Sequence, residues 1–134
     1  MIELLQLSQV LATVELTGTE VRYHHEDCNE GKYSGWYTFN KSANVDRLVI
    51  CADNQLNHSD LFDTVRHEAV HVAQACNGGP LLPLQYYKDR ASERVHREVA
   101  EYPADVQHRE YEAWVIAELA SEEEVIGILK KFCF

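Results

Sequence analysis

Residues 67 to 71 read His-Glu-Ala-Val-His. On a helix, His67 and His71 lie on one face about a turn apart, so both imidazoles can reach one zinc ion. Glu68 between them is then free to act as general base on a water at the metal. The chemistry needs these types: imidazole nitrogens suit tetrahedral zinc, and a carboxylate can take and return a proton. A catalytic zinc usually has three protein ligands and keeps a fourth position open. Two histidines are therefore not enough.

The third donor has to come from elsewhere in the chain. The continuation Val72-Ala73-Gln74-Ala75-Cys76-Asn77 has no glycine or histidine to extend the site locally. The segment Arg109–Ala117 offers two carboxylates. Glu110 shares a helix face with Ala113 and Ala117, and small residues there would let this helix press against the motif helix. Glu112 is the alternative, because Ile116 and Leu119 continue its own face. Face geometry favours Glu110 and leaves Glu112 open.

The elements that must position these residues are legible in part. Leu61, Val65, Ala69, Val72 and Cys76 recur at helical spacing, with Phe62, Val70 and Ala73 widening the stripe. This predicts a half-buried helix over 59–76, capped by Ser59 or Asp60 and stopped by Gly78-Gly79-Pro80. Leu4, Leu7, Leu11 and Val14 predict a helix over 3–16. Between 19 and 52 the chain turns aromatic and β-branched, with turn residues Asn29, Gly31, Gly35 and Asn44. That stretch reads as a small antiparallel or mixed sheet, with Arg47–Cys51 its clearest strand. A loop over 77–88, a weak helix over 90–101, a long helix over 103–120 and a last helix over 122–131 follow. Ser121 and Glu124 form a capping box at the start of the last helix, and Lys130-Lys131 close its other end.

With these elements in view the chain resembles the gluzincin metallopeptidases, which carry His-Glu-x-x-His on one helix and a glutamate ligand on a later one. Glu110-Tyr111-Glu112-Ala113 is similar to the Glu-x-x-Ala feature of small cytoplasmic and phage peptidases of the ImmA/IrrE type and of the CAAX-processing type. The resemblance covers 59–76 and 106–120. It implies an α+β, zincin-like domain over 1–134, Zn2+ as cofactor, and His67, His71 and Glu110 as ligands with Glu68 catalytic. It also implies an edge strand along the substrate cleft, a role expected of Arg47–Cys51. Many gluzincins place an acid four residues after the glutamate ligand to support a metal-bound histidine. Here that position is Trp114, so Asp63 or Asp105 is expected to serve instead.

The expected activity is zinc-dependent hydrolysis of peptide bonds, endopeptidase rather than exopeptidase, on a peptide or flexible protein segment. Tyr86, Tyr87, Tyr102 and His108 are candidates to stabilise charge on the carbonyl oxygen. Two alternatives compete: a non-catalytic, zinc-stabilised interaction module, and a narrow regulatory protease that cleaves one partner. A net charge of −10, from 22 acids against 12 bases, argues against nucleic-acid binding. No apolar run is long enough to span a bilayer. The N-terminal stretch lacks a basic segment before its leucines, so a cytoplasmic protein is the default. Cys28, Cys51, Cys76 and Cys133 show no Cys-x-x-Cys spacing and are expected to be free, buried thiols, although Cys28 and Cys51 could be cross-strand neighbours.

Overall fold

In a computed structural model that describes residues 2–31, 33–55 and 57–134, the chain opens with helix α1 (Ile2–Leu16). Leu7, Val10, Leu11 and Val14 are its buried stripe; Leu7, Leu11 and Val14 fall where the spacing predicted, whereas Leu4 is exposed and Val10 takes its place in the core. Strand β1 (Glu20–Arg22), a 3-10 turn over Glu26–Glu30, and strands β2 (Gly35–Asn40) and β3 (Val45–Ile50) follow. Then come α2 (His58–Asn77), α3 (Leu84–Arg90), α4 (Glu93–Ala100), α5 (Gln107–Leu119) and α6 (Glu122–Cys133). The fold class is α+β, mostly helical, with one three-stranded mixed sheet.

The strand order is β1-β3-β2, with β1 parallel and β2 antiparallel to β3. This corrects one expectation. The strand predicted over Arg47–Cys51 is the centre of the sheet, and β2 is an edge. Leu48, Val49 and Ile50 are at most 1% exposed, and a continuous apolar run of this kind marks a strand covered on both faces. Gly35 lets β2 sit close to its neighbours: a Cβ there would lie 2.7 Å from the Val49 carbonyl oxygen and 3.0 Å from Thr64 Cγ2.

Helix α2 starts one residue before the predicted boundary, and its cap is Asn57 rather than Ser59 or Asp60. The Asn57 side-chain oxygen accepts from the Asp60 amide at 2.9 Å. Such a cap is worth about 1 kcal/mol. Gly78, in the left-handed conformation at φ 79°, ends the helix as expected. One face of α2 packs with α1, β3 and α6 in a core of Leu11, Val14, Leu48, Val65, Val72 and Leu129, among others. On another side it meets α5, where Ala113 and Ala117 are buried. A second apolar cluster, Tyr87, Val95, Val99, Tyr111 and Val115, lies between α3, α4 and α5.

The helix predicted over 90–101 is α4, which starts three residues later than expected. The Ser92 hydroxyl accepts from the Val95 amide at 3.2 Å and begins α4, while α3 occupies part of the predicted 77–88 loop. The predicted 103–120 helix begins as a 3-10 turn over Ala104–Val106 before α5. The capping box of Ser121 and Glu124 is present. The cysteines overturn the free-thiol expectation: Cys28–Cys51 and Cys76–Cys133 are disulfides, with Cα atoms 5.5 and 5.1 Å apart. Cys28 belongs to the 3-10 turn rather than to a strand. Pairs separated by 23 and 57 residues carry no local spacing signal, because tertiary folding alone brings them together.

Candidate metal centre

His67 and His71 project from α2 toward Glu110 on α5. His67 Nε2 and His71 Nε2 are 3.2 Å apart. Glu110 Oε1 lies 3.2 Å from His67 Nε2, and Glu110 Oε2 lies 3.1 Å from His71 Nε2. Zinc–ligand bonds of about 2.0–2.1 Å at tetrahedral angles set ligand atoms roughly 3.3 Å apart, close to each of these separations, with Glu110 turning one oxygen to each histidine. Glu110 Oε1 is buried without a hydrogen-bond donor among the described residues, despite the nearby imidazole. A buried carboxylate with one oxygen toward each of two imidazole nitrogens is a donor set that suits a divalent cation. Among the described residues, His67, His71 and Glu110 are the one group of three such side chains converging in this way.

Two of these groups, His71 and Glu110, are shifted. Burial alone would lower the pKa of His71, but the Glu110 hydrogen bond and the charges of Glu68 and Glu110 outweigh it and raise it to about 9. Burial would raise the pKa of Glu110, but the close polar contacts of His67 and His71 draw it down to about 2. Glu110 and His71 thus favour each other's charged forms.

Glu112, the alternative ligand, goes elsewhere. It is fully buried, and its carboxylate accepts from the Leu81 and Leu82 amides at 2.8 to 3.0 Å and from Gln74 Nε2 at 2.8 Å. Neither aspartate expected to support a histidine does so. Asp63 pairs with Arg66, which also bonds Glu122 and the Ala117 carbonyl, and Asp105 is exposed on the 3-10 turn. The partner of His71 is Gln74, whose Oε1 is 2.8 Å from His71 Nδ1. Gln74 lies three residues after His71 on the same helix face, a spacing that could have pointed to it. Trp114 stands edge-on to His67, with ring centroids 5.0 Å apart.

The triad opens into a cleft of about 610 Å³ that also takes in Glu68, Tyr102 and Trp114. Its far wall is the edge strand, through Gly35, Trp36 and Tyr37, preceded by Tyr33 and Ser34. Sequence reasoning missed the residues that hold this wall. Asn54 Nδ2 donates to the Cys28 and Tyr33 carbonyls, and Gln55 Nε2 to those of Ser34 and Cys51, at 2.8 to 3.0 Å. Thr64 on α2 in turn donates to Gln55 Oε1. The Cys28–Cys51 disulfide adds a covalent tie.

Of the four candidate oxyanion donors, only Tyr102 lines this cleft. Burial, then the charge of Glu110, raises its pKa to about 12, so it keeps its proton. Tyr86 is exposed beneath the Arg90 guanidinium. Tyr87 is buried, its hydroxyl turned to Glu112. His108 Nε2 bonds the Leu82 carbonyl at 2.8 Å.

Comparison with known proteins gives a family and no activity. The sequence model of a domain of unknown function, DUF8637, matches residues 2–134. No curated protein and no solved structure matches the chain.

Proposed function

The chain belongs to the DUF8637 family, and from its site we propose that it is a zinc-dependent, zincin-like peptidase with Glu68 as general base. The observation that carries this reading is the convergence of His67, His71 and Glu110, with contacts of 3.1 to 3.2 Å and a Glu110 oxygen that is buried without a hydrogen-bond partner among the described residues. A zinc ion held there would supply Lewis acidity, bringing a water's pKa to near neutral and polarising a carbonyl.

The chain's own residues supply the rest. Glu68, 6% exposed and adjacent to a ligand on the same helix, takes the proton of the attacking water and returns it to the leaving amine. Tyr102 donates to the carbonyl oxygen as negative charge develops on it. The Trp114 indole N–H, buried without an acceptor among the described residues, is a second donor for a substrate oxygen.

The free edge of β2 offers backbone donors and acceptors to an extended chain, so the substrate class is an unfolded peptide or flexible loop cut internally. No helix among the described residues is long and apolar enough to cross a membrane. The two disulfides favour an oxidising compartment over the cytoplasmic default.

The test uses protein purified without chelator. Elemental analysis should find about one zinc per chain, and a quenched fluorescent unfolded-protein substrate should be cleaved. Glu68→Gln should keep the zinc and lose at least about 10²-fold in rate, the scale of a lost general base. Absence of zinc after reconstitution would end the metal reading. Full activity in Glu68→Gln would end the catalytic one and leave a zinc-stabilised interaction module.

A further inference from the structure

We propose that Glu112 is a positioning residue of the metal centre, acting on His71 through the side-chain amide of Gln74. The inference rests on the zinc reading above and adds a role for a buried carboxylate that the reaction itself does not use.

The argument begins with the Gln74 amide, whose orientation is fixed. Its nitrogen donates to the Arg109 carbonyl at 3.1 Å and to Glu112 Oε1 at 2.8 Å, which uses both amide hydrogens. Its oxygen therefore faces His71 Nδ1, 2.8 Å away, and an amide oxygen can only accept. His71 Nδ1 must carry the proton. Nε2 is the nitrogen left to face His67 and Glu110, the one that a metal would take. Glu112 decides this arrangement: a carboxylate at that point attracts the amide nitrogen, whereas a donor there would turn the amide round and offer its NH2 to His71.

Glu112 is itself over-determined. It accepts from the Leu81 and Leu82 amides as well as from Gln74, and the Tyr87 hydroxyl faces it. Every one of these partners is a donor. The carboxylate thus ties the turn after α2 to α5 and, through Gln74, to a ligand on α2. Taking a carboxylate out of water is costly, and its hydrogen bonds only offset that cost. The chain Glu112–Gln74–His71 gives that cost a use, taking the role that an acid touching the histidine directly would have.

The test is zinc affinity, by competition with a chromophoric chelator, for wild type, Gln74→Leu, Glu112→Gln and the double variant, alongside thermal melts of the metal-free proteins. Gln74→Leu leaves Glu112 its backbone donors, so it should fold and weaken zinc binding by about 10- to 100-fold, the usual effect of removing such a support. Glu112→Gln should weaken it comparably, and the double variant no more than the worse single, because the two act in series. Should Glu112→Gln fail to fold, Gln74→Leu decides alone. A wild type that binds zinc beside a Gln74→Leu variant within twofold of it would overturn this proposal and leave the peptidase reading standing. A wild type that binds no zinc would overturn both.

Discussion

Glu110 and Glu112 are two residues apart on α5, about 200° of helix rotation. Glu110 faces His67 and His71 at 3.2 and 3.1 Å, whereas Glu112 accepts the Leu81 and Leu82 amides and the Gln74 side chain. One helix therefore sends two buried carboxylates to different sites: one meets acidic-proton carriers that a cation can replace, the other meets fixed backbone donors.

Alanine at each position separates the two roles. Glu110→Ala should abolish stoichiometric zinc binding while retaining the fold. Glu112→Ala should destabilise even the metal-free protein by about 3 kcal/mol or more, since several buried donors lose their acceptor at roughly 1–3 kcal/mol each. Elemental analysis and urea unfolding of both variants read this out. Equal zinc loss with no difference in stability would contradict the assignment.

Acidity should act on the metal-free centre in a defined direction. His71 is raised from 6.5 to about 9, so the stability it contributes is complete below about 6.5 and is lost as pH rises through about 9. Glu110 is lowered from 4.5 to about 2, so its contribution is complete above about 4.5 and is lost as pH falls through about 2. The pair should stabilise the metal-free protein most between about pH 4.5 and 6.5. Zinc has to displace the His71 proton, so its apparent affinity should climb with pH up to about 9. Calorimetric titrations in buffers of different ionisation enthalpy count the proton released. Zinc affinity flat from pH 6 to 9 would refute the coupling.

The parts of this site that were legible from sequence are those with local signals. His67 and His71 share one face of a helix that an apolar stripe anchors on another side, and Ala113 and Ala117 mark the face that brings Glu110 in. The Ser92 cap that begins α4 was also readable, but the charge pairs beyond it drew the expected start of that helix forward to residue 90. What escaped depends on distant contacts. The centre of the sheet is set by pairing Glu20 with Arg47 in parallel, 27 residues away. Asn54 and Gln55 look like ordinary turn residues until the Tyr33 and Ser34 carbonyls lie within reach.

Removing the disulfides should have unequal effects. Cys76–Cys133 closes the longer loop, joining the end of α2 to α6 across 57 residues, and its loss should cost about 4 kcal/mol in the chain-entropy view. Cys28–Cys51 spans 23 residues and should cost about 3 kcal/mol. Only the second anchors the cleft wall, so the Cys28→Ser, Cys51→Ser pair should lose hydrolysis out of proportion to its stability while keeping zinc. Melting temperature, zinc content and rate for both serine pairs settle it. A larger functional loss from the Cys76–Cys133 pair would reverse the argument.

Tyr102→Phe tests the oxygen-binding side of the cleft. The hydroxyl keeps its proton because burial and the Glu110 charge hold its pKa near 12, so it is a donor throughout the working pH range. It lies in the turn after α4 and contributes no metal-binding atom to the His67, His71, Glu110 triad. Loss of the hydroxyl should therefore leave zinc content and substrate KM nearly unchanged and lower kcat by about 10²-fold, the scale of one lost oxyanion donor. An unchanged kcat would remove Tyr102 from the reaction and leave the unpaired Trp114 indole as the remaining candidate, to be tested by Trp114→Phe. A rise in KM with kcat intact would instead assign Tyr102 to substrate binding, since a contact made equally in ground and transition states changes KM alone.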